Sequence, residues 1–392
     1  MINLDIPFTY ENSANPWIMD RKNSNSIIKI NGNKITAKYL WSLNIKERQK
    51  CLEDVFNYYR IKGFPYLLLS QEEIDSQYKK LCNYNEDKVI TKEGYISNSG
   101  NLCIDLCKYF CKEYFYKAKG SNKSLSVEDV FYDDELFIKV LKNRMGWNTS
   151  KEDGIDRPYM FPISDKQILN GIRNSGLGYG VSNFRPLIAK WMYSQAIKLL
   201  PYKKDIYNVF DYSCGWGARA LGALSLMNIN YYGTDPLTYN CINNICKLLA
   251  NKNQYFQIYN KCSEDKFFNS NEFKKKFDII GSCPPYFDLE VYSNDKSQSI
   301  YDKTYEEWLS IYWEGTIENI KYMLNDKSIF ILVIKENHGK YNIKKDMENI
   351  IYKYDFRKIK EYQYKSNTNH LSSKAKTGRS TKINEYICFY AK

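Results

Sequence analysis

The sequence predicts an α/β fold, a mostly parallel sheet of seven strands with helices between them, preceded by a mainly helical region. Three observations predict it. After Pro201, short apolar runs alternate with amphipathic stretches, the pattern that builds βαβ units. A glycine-rich turn, Asp211-Tyr212-Ser213-Cys214-Gly215-Trp216-Gly217, separates the first apolar run from the amphipathic stretch after it. Further on, Asp278-Ile279-Ile280-Gly281-Ser282-Cys283-Pro284-Pro285-Tyr286-Phe287 reads as a strand that stops at a Pro-Pro-aromatic corner. The prolines fix φ and carry no N–H, so the strand cannot continue and the backbone must turn rigidly.

Residues 1 to about 40 are a polar, irregular lead-in rich in Asn, Ser and Pro. Over 42–62 the apolar residues recur at helical spacing, and Gly63-Phe64-Pro65 ends that helix. Helices are also predicted near 72–81, 102–116 and 126–141, so residues 1–160 make a mainly helical domain without internal repeats. The α/β domain takes 161–392. Its glycine-rich start, 171–180, reads as a flexible boundary or a loop close to a ligand. Pro186 begins an amphipathic helix to about Leu200, at a position where a missing N–H costs nothing. Strands are predicted at 206–211, 230–233, 254–259, at the Pro-Pro stretch and at 328–335. Helices at 218–227, 239–252 and 305–324 lie between them. Segments 356–364 and 386–390 pair as a closing hairpin.

The 43% hydrophobic content supports real cores and excludes wholesale disorder. A net charge of +12 favours a polyanionic partner, because Lys and Arg release counterions from a phosphate backbone. No apolar run approaches the roughly 20 residues of a membrane span. The opening Met1-Ile2-Asn3-Leu4-Asp5 lacks the basic-then-apolar pattern of a secretion signal. The 11 cysteines, without scaffold spacing, suit free thiols in a reducing cytoplasm. Cys103, Cys107 and Cys111 share one helix face, but zinc needs a fourth ligand and His338 and His370 are remote in sequence. They read as buried thiols, and no metal site is expected.

The glycines of the turn let backbone approach a ligand at a helix N-terminus. Asp235 ends the next strand about 20 residues on, where a carboxylate accepts both ribose hydroxyls or caps the following helix. Ser263 and Glu264, after the third strand, can meet the adenine ring of the same cofactor. No Gly-Lys-Ser/Thr follows the glycines, which disfavours a nucleoside triphosphate.

In this order (glycine loop, acid after strand two, Pro-Pro-Tyr after strand four) the chain resembles the S-adenosylmethionine-dependent amino-methyltransferases of DNA, over about residues 165–392. Ser182-Asn183-Phe184-Arg185-Pro186 is similar to the segment before their glycine loop, whose Phe touches the cofactor. The stretch 281–293 (GSCPPYFDLEVYS) is similar to the SPPYFD-type variant of phage-borne and prokaryotic enzymes. The resemblance implies a Rossmann-like class I methyltransferase domain. It also implies S-adenosylmethionine bound by Phe184, Asp211, Ser213, Gly215, Gly217, Asp235, Ser263 and Glu264, and catalysis by Cys283, Pro284, Pro285 and Tyr286. The implied partner is DNA with its target base flipped, in the cytoplasm of a prokaryote or its phage, within restriction–modification or a phage's own programme.

The chemistry agrees with that resemblance. An exocyclic amine conjugated to a base ring is a poor nucleophile. Acceptors aimed at its hydrogens favour the sp³-like nitrogen that attacks a methyl sulfonium in line. The carbonyl beside Pro284 and the side chain at 283 are candidate acceptors, and Tyr286 stacks on a base that has left the duplex. No Pro-Cys-Gln nucleophile motif is present, which disfavours cytosine C5. Cys283 departs from the family's Asp, Asn or Ser, and a thiol is a weak acceptor. Three readings stay open: a working replacement for Ser, acceptor duty carried by carbonyls, or a degenerate enzyme. The shape of Cys leans towards cytosine N4 over adenine N6.

For substrate grip, 357–382 sets eight Lys/Arg against one Glu, with Lys374, Lys376 and Arg379 among them. Such a segment tracks phosphates or is a solvated loop. The loop 288–303 can close over the base, with Glu290, Tyr292 and Gln298 in it, and Phe287 just before it, as candidate substrate contacts. The helical domain is the expected DNA-recognition module. An RNA base-amine methyltransferase and a non-catalytic nucleic-acid-binding subunit of the same fold are the alternatives.

Overall fold

The computed structural model describes residues 29–30, 33–97, 100–121, 124–145, 163–364 and 385–392. Seven strands build one sheet: β1 (Tyr207–Asp211), β2 (Ile229–Thr234), β3 (Phe256–Tyr259), β4 (Phe277–Ser282), β5 (Leu324–Lys335), β6 (Arg357–Gln363) and β7 (Glu385–Ala391). Their spatial order is β3-β2-β1-β4-β5-β7-β6. The first five pair in parallel, and β7 runs antiparallel between β5 and β6. This is the expected Rossmann-like α/β fold with a mostly parallel seven-stranded sheet. The strand order reverses between β1 and β4, so their carboxyl ends open on the crevice where doubly wound sheets take ligands. Strands covered on both faces read as unbroken apolar runs, and β4 is buried at every position.

The chain divides into two compact units, Met1–Glu73 with Phe115–Val181, and Ile74–Tyr114 with Ser182–Lys392. The division expected between residues 160 and 161 lies outside the described residues. In the first unit the helices Ile45–Lys62, Val127–Tyr132, Asp134–Arg144 and Asp165–Asn174 bury an aromatic core around Tyr59, Phe131 and Phe137. The second unit holds the sheet with α1 (Ile104–Phe110), α2 (Pro186–Leu199), α3 (Ala218–Leu224), α4 (Tyr239–Leu249), α5 (Glu314–Met323) and α6 (Ile343–Lys353). Lys190 of α2 is buried, and its ammonium donates to the carbonyls of Leu81, Cys82 and Tyr84 at 2.8–2.9 Å. Cys103, Cys107 and Cys111 are buried as expected.

Several local expectations change. The helix expected over 42–62 begins at Ile45, where Asn44 and Glu47 form a capping box, and Ser42 ends a separate short helix, Ala37–Ser42. Asp133 likewise splits 126–141 by capping Asp134–Arg144. Gly171 is not in a loop. It lies inside Asp165–Asn174, where a Cβ would meet the Arg144 stem at 2.6 Å, so the glycine serves helix packing. The α6 helix was not anticipated, although Ile343, Met347 and Ile351 recur at helical spacing and all are buried. No helix of the described residues is long and apolar enough to cross a membrane.

Candidate active site

The glycine turn is anchored by Asp211, wholly buried at the end of β1. Its oxygens accept from Ser213 N (3.1 Å), Arg219 Nε (2.9 Å), the Tyr231 hydroxyl (2.8 Å) and the Ser282 hydroxyl (2.6 Å). Four donors fill a carboxylate. Asp211 therefore ties β1, β2, α3 and β4 together and does not line the cavity described below. Burial works against the Arg219 charge, but Asp211 and the neighbouring thiol and phenol groups outweigh it, so its pKa lies above the usual arginine value. The guanidinium also donates to the Ser213 carbonyl and lies 5.5 Å from the Phe184 ring centre. Gly217, at φ +82°, has no room for a Cβ beside Ile245 and starts α3 without facing the cavity.

Asp235 joins the turn after β2 to the glycine loop. One oxygen accepts from Leu237 N (3.0 Å) and Thr238 N (2.8 Å), and the other from Gly215 N (2.9 Å). The capping reading is what these bonds show, and the same side chain lines the cavity described below. Burial pushes its carboxyl above the ordinary range, despite the three N–H donors. Asp235→Ala is expected to weaken S-adenosylmethionine binding roughly 10- to 100-fold and to lower the thermal midpoint, since it orphans three N–H groups. Unchanged affinity by calorimetry would refute a cofactor contact.

The corner after β4 is held from every side. The Tyr286 hydroxyl donates to the Val333 carbonyl (3.3 Å) and shares a 3.1 Å hydrogen bond with Cys283 Sγ. Ser282 reaches back to Asp211 and to the Ser213 carbonyl (3.1 Å), binding the corner to the glycine loop. Pro284 and Pro285 offer no N–H, so their backbone presents carbonyl acceptors only. Burial pushes the Cys283 thiol up to about 11, with Arg219 and the Tyr286 hydroxyl opposing, so sulfur stays protonated at neutral pH. Phe287 takes φ +33°, a conformation that a bulky side chain enters only when its surroundings enforce it. Tyr305, Trp308 and Tyr341 enforce it, each edge-on to the ring at centroid distances of 5.3–6.0 Å.

One cavity of about 280 Å³ brings most of the expected residues together. Phe184, Ser213, Gly215, Asp235, Ser263 and Glu264 line it with Cys283, Pro284, Pro285 and Tyr286, and Glu290 and Tyr292 close its side. Phe287 is turned away into its aromatic nest, and Lys374, Lys376 and Arg379 lie outside the described residues. Glu290 accepts from Ser182 N (2.9 Å), Ser182 Oγ (3.0 Å) and the Tyr292 hydroxyl (2.8 Å). Trp216, Tyr312, Lys335 and Glu385 also line the cavity and were not anticipated. Trp216 sits between the glycines, so the loop itself was the signal. Tyr312 lies in a π-helical turn, Trp308–Trp313, that precedes α5.

No protein-family model and no curated protein matches the chain. Among solved structures it is similar to a TehB-like SAM-dependent methyltransferase from Corynebacterium glutamicum, at 10% identity and a TM-score of 0.33, over 54% of this chain and 89% of that one. It is also similar to TrmN from Thermus thermophilus (10% identity, TM-score 0.35, 58% and 66% of the two chains). Fibrillarin from Aeropyrum pernix, solved with S-adenosyl-L-methionine, aligns at 8% identity and a TM-score of 0.31, over 52% and 76%. Alignments at this level say nothing about substrate, and the fold rests on the strand order and register given above.

Proposed function

We propose that this chain is an S-adenosylmethionine-dependent methyltransferase acting on the exocyclic amine of a DNA base, cytosine N4 or adenine N6, flipped out of the duplex. The observation that carries this reading is the shared cavity, lined by the glycine loop and Asp235 together with the Pro-Pro-Tyr corner and its proline carbonyls. The cofactor fits the polar groups on the β1–β3 side. Glu264 Oε2 and the Tyr312 hydroxyl are buried without a hydrogen-bond partner among the described residues, and a nucleoside's amine and hydroxyls supply what they need. Asp235 lines the cavity where a ribose hydroxyl would lie, and Gly215 lets backbone come close.

When bound, the cofactor supplies a methyl group made electrophilic by its sulfonium. The chain's part is positioning. The Tyr286 ring stacks on the base, while the carbonyls of Cys283 and Pro284 accept the amine hydrogens and turn its lone pair outward. The thiol, shared with the Tyr286 hydroxyl, is a minor acceptor. Residues 1–160 serve as the DNA-recognition module, and the net charge of +12 supplies attraction to phosphates. Incubation with methyl-labelled cofactor is expected to label duplex DNA over total RNA. Label in RNA alone would reassign the substrate, and label in neither, with cofactor bound, would indicate a binding subunit.

A further inference from the structure

We infer that Glu385 is the proton acceptor for the methylated amine, an assignment that rests on the methyl-transfer reading above. Transfer forms one N–C bond and breaks the donor's C–S bond, whose electron pair stays on sulfur. The nitrogen is left cationic with one proton in excess, and that proton needs a base. The corner does not provide one. Cys283 is a thiol, Tyr286 is a buried phenol with its pKa raised, and backbone carbonyls accept hydrogen bonds without holding a proton.

Four carboxyls line the cavity. Asp235 is bound to three N–H groups, and Glu290 is bound to Ser182 and Tyr292. Glu264 follows β3, at the far edge of the sheet from the corner. Glu385 remains, and it lines the cavity beside Lys335. It opens β7 directly opposite Lys335 of β5. Two residues before Lys335, the Val333 carbonyl holds the Tyr286 hydroxyl, and the neighbouring Leu332 pairs with Ser282. The corner and the carboxyl therefore flank the end of β5 from its two sides, close enough that the Glu385 charge raises both the Cys283 thiol and the Tyr286 phenol.

The groups facing Glu385 are Lys335 from β5, Arg185 before α2, Tyr364 after β6, Glu290 from the loop, and the corner itself. Burial pushes the carboxyl above its usual range. Lys335 and Arg185 oppose that shift, and Glu290 adds to it. A carboxylate whose pKa is raised is a better base for this proton than an ordinary surface glutamate. The folded state then holds more protons than the unfolded chain between the two pKa values, so stability falls as pH rises through that window. Removing the charge at Glu385 relieves this cost on the alkaline side. Removing half of a structural ion pair with Lys335 would do the opposite.

Wild type, Glu385→Gln and Glu385→Asp are compared by calorimetry with S-adenosylmethionine, by single-turnover transfer to unmodified DNA between about pH 5.5 and 9, and by thermal midpoint. Glu385→Gln is expected to bind cofactor within about twofold of wild type and to melt no lower at the alkaline end. Its transfer rate should fall roughly 10²- to 10⁴-fold, with loss of the acidic limb of the pH profile, and Glu385→Asp should recover part of the rate. A Gln variant within about threefold of the wild-type rate, or one that loses thermal midpoint and cofactor affinity together, overturns the assignment alone. A wild type that binds cofactor but labels neither DNA nor RNA overturns the methyl-transfer reading, and this assignment falls with it.

Discussion

Tyr286→Ala is expected to cut turnover about 100-fold while S-adenosylmethionine affinity stays within about threefold. The ring stands on the β4–β5 side of the cavity, held by the Val333 carbonyl and Cys283 Sγ, away from Asp235 and Glu264 on the β2–β3 side. Base–aromatic stacking contributes about 1–3 kcal/mol per base, and misplacing the amine by an ångström costs about as much again in rate. Truncating a buried ring also leaves a void, at about 3–5 kcal/mol for large aromatic side chains. Tyr286→Phe separates these effects. It keeps the ring and removes only the hydroxyl's two hydrogen bonds, so it should lose about 1 kcal/mol of stability and retain most of the turnover. Equal losses of turnover and cofactor affinity in Tyr286→Ala would count against stacking and point to collapse of the corner.

What the sequence revealed and what it hid follow from how each residue is placed. Strands β1, β2, β4 and β5 were legible because strands buried on both faces are written as apolar runs, and the Pro-Pro corner was legible because proline fixes φ locally. Asp235 was legible because it closes a strand at the right distance from the glycines. Asp211 was harder: its sequence position suits a ligand, but four donors converge on it from four elements. Phe287 follows Tyr286 directly, yet its positive φ rotates it into Tyr305, Trp308 and Tyr341. Glu385 and Lys335 come together only through the antiparallel register of β5 and β7, and nothing local to either residue announces that pairing. Long-range register is what a single sequence states most weakly.

Asp211→Ala should destabilise the second unit by about 3–5 kcal/mol, the cost of leaving a buried charge without its partner. The Asp211 and Arg219 side chains are 0% and 5% exposed and pair at 2.9 Å, so water cannot take over when one is removed. The Tyr231 and Ser282 hydroxyls and Ser213 N would lose their acceptor as well. A double change, Asp211→Ala with Arg219→Met, removes both charges and should recover part of the loss, because an apolar side chain of similar volume suits the site better than an unpaired guanidinium. Chemical denaturation of the four proteins of this cycle reads the coupling directly. A single-mutant cost below about 1 kcal/mol would mean that the guanidinium swings out to solvent and that Asp211 is not the anchor. Since Asp211 also holds Ser282, the residue before Cys283, the same variant should loosen the glycine loop and the Pro-Pro-Tyr corner together. Cofactor affinity and turnover would then fall in parallel, the opposite of the split expected for Tyr286→Ala.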